Sequence, residues 1–464
     1  MKIFNTMTRQ KEELTPIHGK DVNIYCCGPT VYNLIHVGNA RQLCVFDVLR
    51  RYLKYSGYNV RYIQNFTDVD DKIIRIANEK GVSPFDHAEA MIKEYFKDAR
   101  GLNIMDADIH PKATESIDII LDMVKRLIDK GYAYQSGGDV YFEAAKDPNY
   151  GKLSHMPLDE LKEGASQRID STEQKRDPMD FAVWKAAKEG EPYWDSPYGK
   201  GRPGWHIECS AMSSHFVGGT LDIHGGGADL IFPHHENEIA QSECCNGYPL
   251  ANIWMHNGML NIDNRKMSKS KGNFFLVRDL AESFGYEPVR FMLLTAQYRA
   301  QLNYTAEVME AAVNSLNRLK TCRSALEKAI PNAKEGDAAQ QIFAIADKRR
   351  KQFKEAMEDD LNTADGITAV FELVRDINTV LLDENATNGS LKLLRDVFNE
   401  LADVLGILYE KEEAIPQEVL DLAEQRKEAR KNKDFALADR LRSQITEMGY
   451  IVEETRQGTN IKKA

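Results

Sequence analysis

Apolar positions follow two rhythms along the chain, and the change falls near residue 305. Before that point short apolar strands alternate with helical stretches. Val22, Ile24 and Tyr25 mark a strand, and Leu43, Val45, Phe46, Val48, Leu49 and Tyr52 recur at helical spacing. Residues 58–66 form a second strand close behind that helix, which predicts a βαβ start with parallel strands. Residues 85–130 read as two helices, the second carrying Ile117, Ile120, Met123, Val124 and Leu127. A hairpin follows, with Tyr132 to Tyr134 and Val140 to Phe142 joined by Ser136-Gly137-Gly138-Asp139. It opens a polar region, punctuated by Pro and Gly, that runs to about residue 200 and breaks the βα rhythm. That region reads as an insertion between two halves of one nucleotide-binding sheet. Strands return at 221–224, ahead of Gly225-Gly226-Gly227, and at 253–260. Beyond 305 the pattern is helical, with segments near 305–328, 338–357, 363–383, 389–409, 416–432 and 434–448. Short polar connections between them predict a bundle, and the tail from Gly449 reads as a small strand pair.

Composition narrows the class. A chain of 464 residues, 42% hydrophobic and 28% charged, is that of a soluble globular protein with about two to four domains. No run reaches the length of a transmembrane helix, and residues 1–14 lack an apolar core and a cleavage site, so a cytoplasmic location without membrane contact is expected. The net charge of −11 excludes a non-specific nucleic-acid binder, which is normally basic. Any nucleic-acid contact would go through local basic patches. Seven cysteines without framework spacing argue against disulfides and leave metal ligation as a question.

The candidate chemistry is concentrated in a few stretches. Tyr25-Cys26-Cys27-Gly28-Pro29-Thr30 runs from the first strand towards His36-Val37-Gly38-Asn39-Ala40-Arg41 at the start of the helix. Such a unit aims backbone N–H groups and a positive helix end at an anion, although an ordinary βα connection looks the same. Asp68, Asp70 and Asp71 lie at the carboxyl edge of the sheet, where ligands bind, or else cap the next helix. His234 and Glu238 are four apart on a predicted helix that begins at Pro233, and so share a face. Cys27 and Cys209 would complete a set of two thiolates, an imidazole and a carboxylate that suits zinc. The alternative is that both cysteines are plain core residues, as Cys44, Cys244, Cys245 and Cys322 are read to be. Cys26 points to the opposite side of its strand from Cys27. Arg265, Lys266, Lys269 and Lys271 surround Ser268 and Ser270, with no glycine where a Walker loop needs one. A lysine loop of this kind suits a transferring phosphate, a solvated turn being the alternative.

These stretches carry a resemblance. His36-Val37-Gly38-Asn39 resembles the HIGH signature of class I aminoacyl-tRNA synthetases, with Asn39 at the place of the last histidine. Lys266-Met267-Ser268-Lys269-Ser270 matches their KMSKS signature. Cys27-Gly28-Pro29-Thr30-Val31-Tyr32, Gly204-Trp205-His206-Ile207-Glu208-Cys209-Ser210, His224-Gly225-Gly226-Gly227 and Phe232-Pro233-His234-His235-Glu236-Asn237-Glu238 resemble the cysteinyl branch of that class. The resemblance implies an α/β fold: a Rossmann-like parallel-sheet catalytic domain with an insertion, then a helical bundle and a small mixed α/β C-terminal domain. The expected division is 1–120 and 201–304 for the two catalytic halves, 121–200 for the insertion, 305–408 for the bundle and 409–464 for an anticodon-binding domain.

The implied activity joins cysteine to tRNA(Cys) in two steps through cysteinyl-adenylate, in a monomer. His36, Asn39, Lys266 and Lys269 would be catalytic, and Thr30, Gly38 and Ser268 would join them in binding ATP with Mg²⁺. One zinc ion per chain would sit on Cys27, Cys209, His234 and Glu238 and select the substrate thiol. Cysteine would meet Cys27, Thr30, Trp205 and His234, while Pro29, Val37, Met267 and Ser270 complete the signatures. For tRNA, Arg426, Lys427, Arg430, Lys431, Lys433, Arg440 and Arg442 form a basic face, or else a solvated one laced with Glu424 and Glu428. Two other readings compete. A cysteine ligase acting on an amino sugar would not need the long helical C-terminal region, and a non-catalytic paralogue would not need His36 and an intact 266–270 motif.

Overall fold

The computed structural model describes residues 1–156, 174–262, 265–266, 275–409, 416–432, 434–455 and 458–463. The chain forms two compact units, Met1–Tyr409 and Glu410–Ala464.

The larger unit is built on a four-stranded parallel sheet. Its strands are β1 (Asp21–Cys26), β2 (Asn59–Gln64), β3 (Leu221–Gly227) and β4 (Ala251–Asn257), in the spatial order β4-β3-β1-β2. Parallel pairing holds throughout, with Ile24 opposite both Tyr62 and Ile223. Two expectations on strand length change. The run Gly225-Gly226-Gly227 continues β3 rather than ending it, because a side chain at Gly225 would meet the Phe46 ring at 2.3 Å and the Met255 carbonyl at 2.4 Å. The strand expected to reach residue 260 stops at Asn257. The chain turns there into a small sheet in which β5 (Leu260–Ile262) pairs antiparallel with β6 (Arg265–Lys266) and parallel with β7 (Leu302–Tyr304).

Helix α1 (Val37–Tyr55) packs across the sheet, with Phe46, Val48, Leu49 and Tyr52 fully buried. Helices α2 (Asp71–Lys80), α3 (Pro84–Gly101) and α4 (Ile117–Asp129) follow β2. Here the acidic stretch proves structural. Asp70 caps α2 through Lys72 N at 2.9 Å, and Asp68 accepts Thr114 N at 3.0 Å. Asp71 pairs with Lys185 at 3.0 Å and with Arg202. The insertion carries the expected hairpin as part of a four-stranded antiparallel sheet, Ala133–Ser136, Asp139–Phe142, Phe181–Ala186 and Gly201–Pro203. Sequence patterning did not reveal an N-terminal hairpin, Lys2–Asn5 with Gln10–Glu13.

Helices Ala306–Ala329, Gln340–Glu358, Thr363–Leu381 and Asn388–Leu405 form the bundle, with apolar faces such as Phe353, Leu373, Val397 and Leu401 buried together. Its end is joined to α1 through Arg290. That guanidinium meets Asp47 Oδ2 at 2.6 Å and the Leu405 carbonyl at 2.8 Å. Arg290 and Arg51 hold the buried Asp47 carboxyl below its ordinary value against the upward pull of burial.

The smaller unit contains helices Gln417–Lys431 and Phe435–Glu447 and an antiparallel pair, Tyr450–Thr455 with Gly458–Lys463. Arg426 departs from the expected basic face. It is buried, one turn along the face that carries Val419 and Ala423. Lys427, Arg430, Lys431, Arg440 and Arg442 are exposed. Lys433 lies outside the described residues.

Candidate functional site

The loop after β1 brings two kinds of chemistry together. Cys27 sits just past the strand, its N–H bonded to the Gly225 carbonyl at 3.1 Å. Its thiol is buried and faces two segments that are remote in sequence. Cys209 lies in the second turn of α5 (Trp205–Val217), and Glu238 in the first turn of α6 (Glu236–Asn246). His234 lies on the turn Ile231–His235 ahead of α6, not on the regular helix that the sequence suggested from Pro233. The four-residue spacing still brings His234 Nε2 to 3.0 Å from Glu238 Oε1. One donor atom from each of Cys27, Cys209, His234 and Glu238 lies within 4.8 Å of the others. All four residues are buried, none more than 2% exposed, so the group is assembled by tertiary contact and shielded from water.

Glu238 is the hub. Its Oε1 accepts from the Cys27 thiol at 3.1 Å, and His224 Nε2 lies 3.3 Å from Oε2. Burial would raise the Glu238 carboxyl, but His224 and His234 hold it well below the usual carboxylate range. Burial likewise opposes charge on His234, yet Glu238 and Cys209 raise it to about 10. Cys209 is pushed up by burial and pulled down further by Cys27 and His234, to about 6. Cys27 goes the other way: burial, then Cys209 and Glu238, hold its thiol well above the ordinary value. Two sulfurs, one imidazole and one carboxylate in this space fit a borderline-soft divalent cation such as zinc.

The sequence reading missed part of this neighbourhood. His224 and His235 form a second four-donor set with the same Cys27 and Glu238. His224 stacks on Tyr25 at 5.3 Å, and His235 Nδ1 lies 2.7 Å from His256 Nε2. His256 in turn meets Thr6 of the N-terminal hairpin at 2.8 Å. The available signals were that His224 ends a predicted strand and that His224 and His235 both lie in the segments that carry the family resemblance.

A cavity of about 340 Å³ opens beside this cluster. Cys27, Pro29, Thr30, His36, Gly38, Asn39 and Trp205 line it, together with Tyr32, Gln42, Lys72, Asp229 and residues 257–260, which the sequence reading had not assigned. Val37 is buried and takes no part in the lining. Trp205 connects the two regions, its ring 4.4 Å from that of His234. At the helix start, His36 is the N-cap residue. Its Nδ1 accepts from Asn39 N at 3.2 Å, while Asn39 Oδ1 accepts from His36 N at 3.2 Å. This reciprocal cap has a chemical consequence. With Nδ1 acting as acceptor, the imidazole proton belongs on Nε2, and with Oδ1 engaged, Asn39 offers its amide nitrogen as donor. Both residues are thus set to donate towards an anion at the positive end of α1. The backbone of Lys266, in β6, pairs with Asn261 of β5. Met267, Ser268, Lys269 and Ser270 lie outside the described residues.

Comparison with known proteins agrees with this geometry. Residues 13–314 match the tRNA synthetases class I (C) catalytic domain, 352–409 the DALR domain, and 412–461 the cysteinyl-tRNA ligase anticodon binding domain. The chain is 51% identical to a cysteine–tRNA ligase of Caldicellulosiruptor saccharolyticus, covering 100% of both. It is 50% identical to that of Clostridioides difficile, again over 100% of both. A structure of Mycobacterium tuberculosis methionyl-tRNA synthetase in complex with methionyl-adenylate superposes with a TM-score of 0.63 at 17% identity, over 84% of this chain and 92% of that one, a likeness of fold. Among the described residues no helix is long and apolar enough to cross a membrane. With full-length identity near one half and a matching catalytic domain, the chain belongs to the cysteine–tRNA ligase family of class I aminoacyl-tRNA synthetases.

Proposed function

We propose a division of labour within the ligation of cysteine to tRNA. Cys27, Cys209, His234 and Glu238 hold one zinc ion per chain and choose the amino acid, while His36, Gly38, Asn39, Thr30 and the lysine loop handle ATP with Mg²⁺. Bound zinc favours a thiolate over a hydroxyl, which is the distinction between cysteine and serine that an apolar pocket makes poorly. The observation that supports this is the convergence of four donors from three remote segments beside the cavity that His36 and Asn39 line.

The residues then act by position and charge. In the first step the cysteine carboxylate attacks the α-phosphorus of ATP in line and pyrophosphate leaves, so no protein nucleophile is required. Nε2–H of His36 and the amide of Asn39 donate to phosphate oxygens. Lys266 and Lys269, with Ser268, close over the triphosphate and stabilise the charge of the departing pyrophosphate. Trp205, Thr30 and His234 shape the space for the amino acid. In the second step a hydroxyl of the terminal adenosine of tRNA(Cys) takes the cysteinyl group and AMP leaves, with the C-terminal unit reading the anticodon.

The test is Cys209→Ser, followed by metal analysis and cysteine-dependent ATP–pyrophosphate exchange. Loss of metal together with loss of cysteine affinity is expected. Full metal content with unchanged cysteine KM would sink the metal-selection reading while leaving the ATP half standing.

A further inference from the structure

Arg41 lies on α1 five residues beyond its His36 cap and is fully buried. Among the described residues no carboxylate pairs with it. Its guanidinium instead donates to four backbone carbonyls. Nη1 reaches Gly258 and Met259, both at 2.9 Å, and Nη2 reaches Ala300 at 2.6 Å and Gln297 at 3.3 Å. These carbonyls belong to two chain segments that cross where the main sheet ends. One leaves β4 and enters β5, and the other enters β7. The crossing is tight, since a Cβ on Gly258 would lie 2.4 Å from the carbonyl oxygens of Arg299 and Ala300. Gly258, Met259 and Leu260 also line the cavity, and β5 pairs directly with the strand that holds Lys266.

We propose that Arg41 is a positioning residue for adenylate formation: it fixes the 258–260 wall of the cavity and the root of the Lys266 strand against the helix that presents His36. The physical reason lies in the donor geometry. A planar guanidinium offers five N–H groups in a rigid fork and can hold carbonyls of two crossing segments at once. A lysine at the same place has one ammonium and cannot span them. The proposal rests on the ATP reading of His36 and Lys266 given above.

The experiment compares Arg41→Lys with Arg349→Lys. The latter disturbs a half-buried pair in the bundle, Arg349 Nε with Asp376 Oδ2 at 2.7 Å, and serves as a stability control away from the cavity. In ATP–pyrophosphate exchange, R41K is expected to raise the ATP KM about 10- to 100-fold, with cysteine KM and metal content unchanged. R349K should lower Tm without moving the ATP KM. Gly258→Ala, which disturbs the same crossing while leaving the Arg41 side chain in place, should reproduce the ATP effect. In a Lys266→Ala background the R41K effect on exchange rate should shrink, because both changes act through one strand. The proposal is overturned if R41K merely loses Tm as R349K does, if G258A leaves the ATP KM unmoved, or if R41K keeps its full effect in K266A. A K266A protein with normal exchange would instead remove the reading of Lys266, while the R41K and G258A shifts in ATP KM still judge Arg41 separately.

Discussion

The two ends of the loop that follows the first strand are built by opposite means. At the Cys27 end every partner comes from far along the chain, Cys209, His224, His234 and Glu238, and the group is dry. At the His36 end the decisive bonds lie within four residues, in the reciprocal cap between His36 and Asn39, and the side chains face an open cavity. A buried, charge-coupled cluster responds to substitution almost all or none, because removing one member strands the others in low dielectric. A local cap on a half-open helix end responds by degrees, because water can replace a lost partner.

The largest effect should therefore come from Glu238→Ala. It removes the carboxylate that Cys27, His224 and His234 share, so loss of bound metal and a rise in cysteine KM of at least about 100-fold are expected, read by metal analysis and pyrophosphate exchange. Near-normal metal content would erase the contrast between the two ends. His36→Ala comes next. It should raise the ATP KM about tenfold and cost about 1 kcal/mol of stability through the lost cap, with cysteine KM within about twofold of the parent. An equal change in both KM values would show that the ends are not separable. The smallest effect is expected in the C-terminal unit. Lys427→Glu with Lys431→Glu should raise the tRNA KM about three- to tenfold and leave exchange intact, since exchange uses no tRNA. Lys427 pairs with Glu424 at 3.0 Å, so a tRNA KM that does not move would return that helix face to a solvated surface.

The contrast also explains what could be read in advance. The βαβ start, the insertion hairpin, the bundle helices and the strand pair of the tail were legible because periodicity is a local property. The limits of β3 and β4 were not. Whether a strand continues through three glycines, or breaks at one, depends on Phe46 behind it and on the Arg299–Ala300 carbonyls beside it. Arg426 was misplaced because a charged residue at helical spacing does not reveal which face a neighbouring helix will cover. Asp68, Asp70 and Asp71 offered two readings, and contacts with Thr114, Lys72 and Lys185 decided for structure.

The sequence by itself determined the strand–loop–helix order, the signatures around His36 and Lys266, and the half-site that His234 and Glu238 make at four-residue spacing, because each depends on backbone geometry over a few residues. Tertiary structure alone decided that Cys27 and Cys209 meet that half-site, that His224 and His235 press on the same carboxylate, and that Arg41 ties the cavity wall to its helix. Those contacts join residues that only the packing of a parallel sheet brings within a few ångströms of one another, and no local pattern carries that distance.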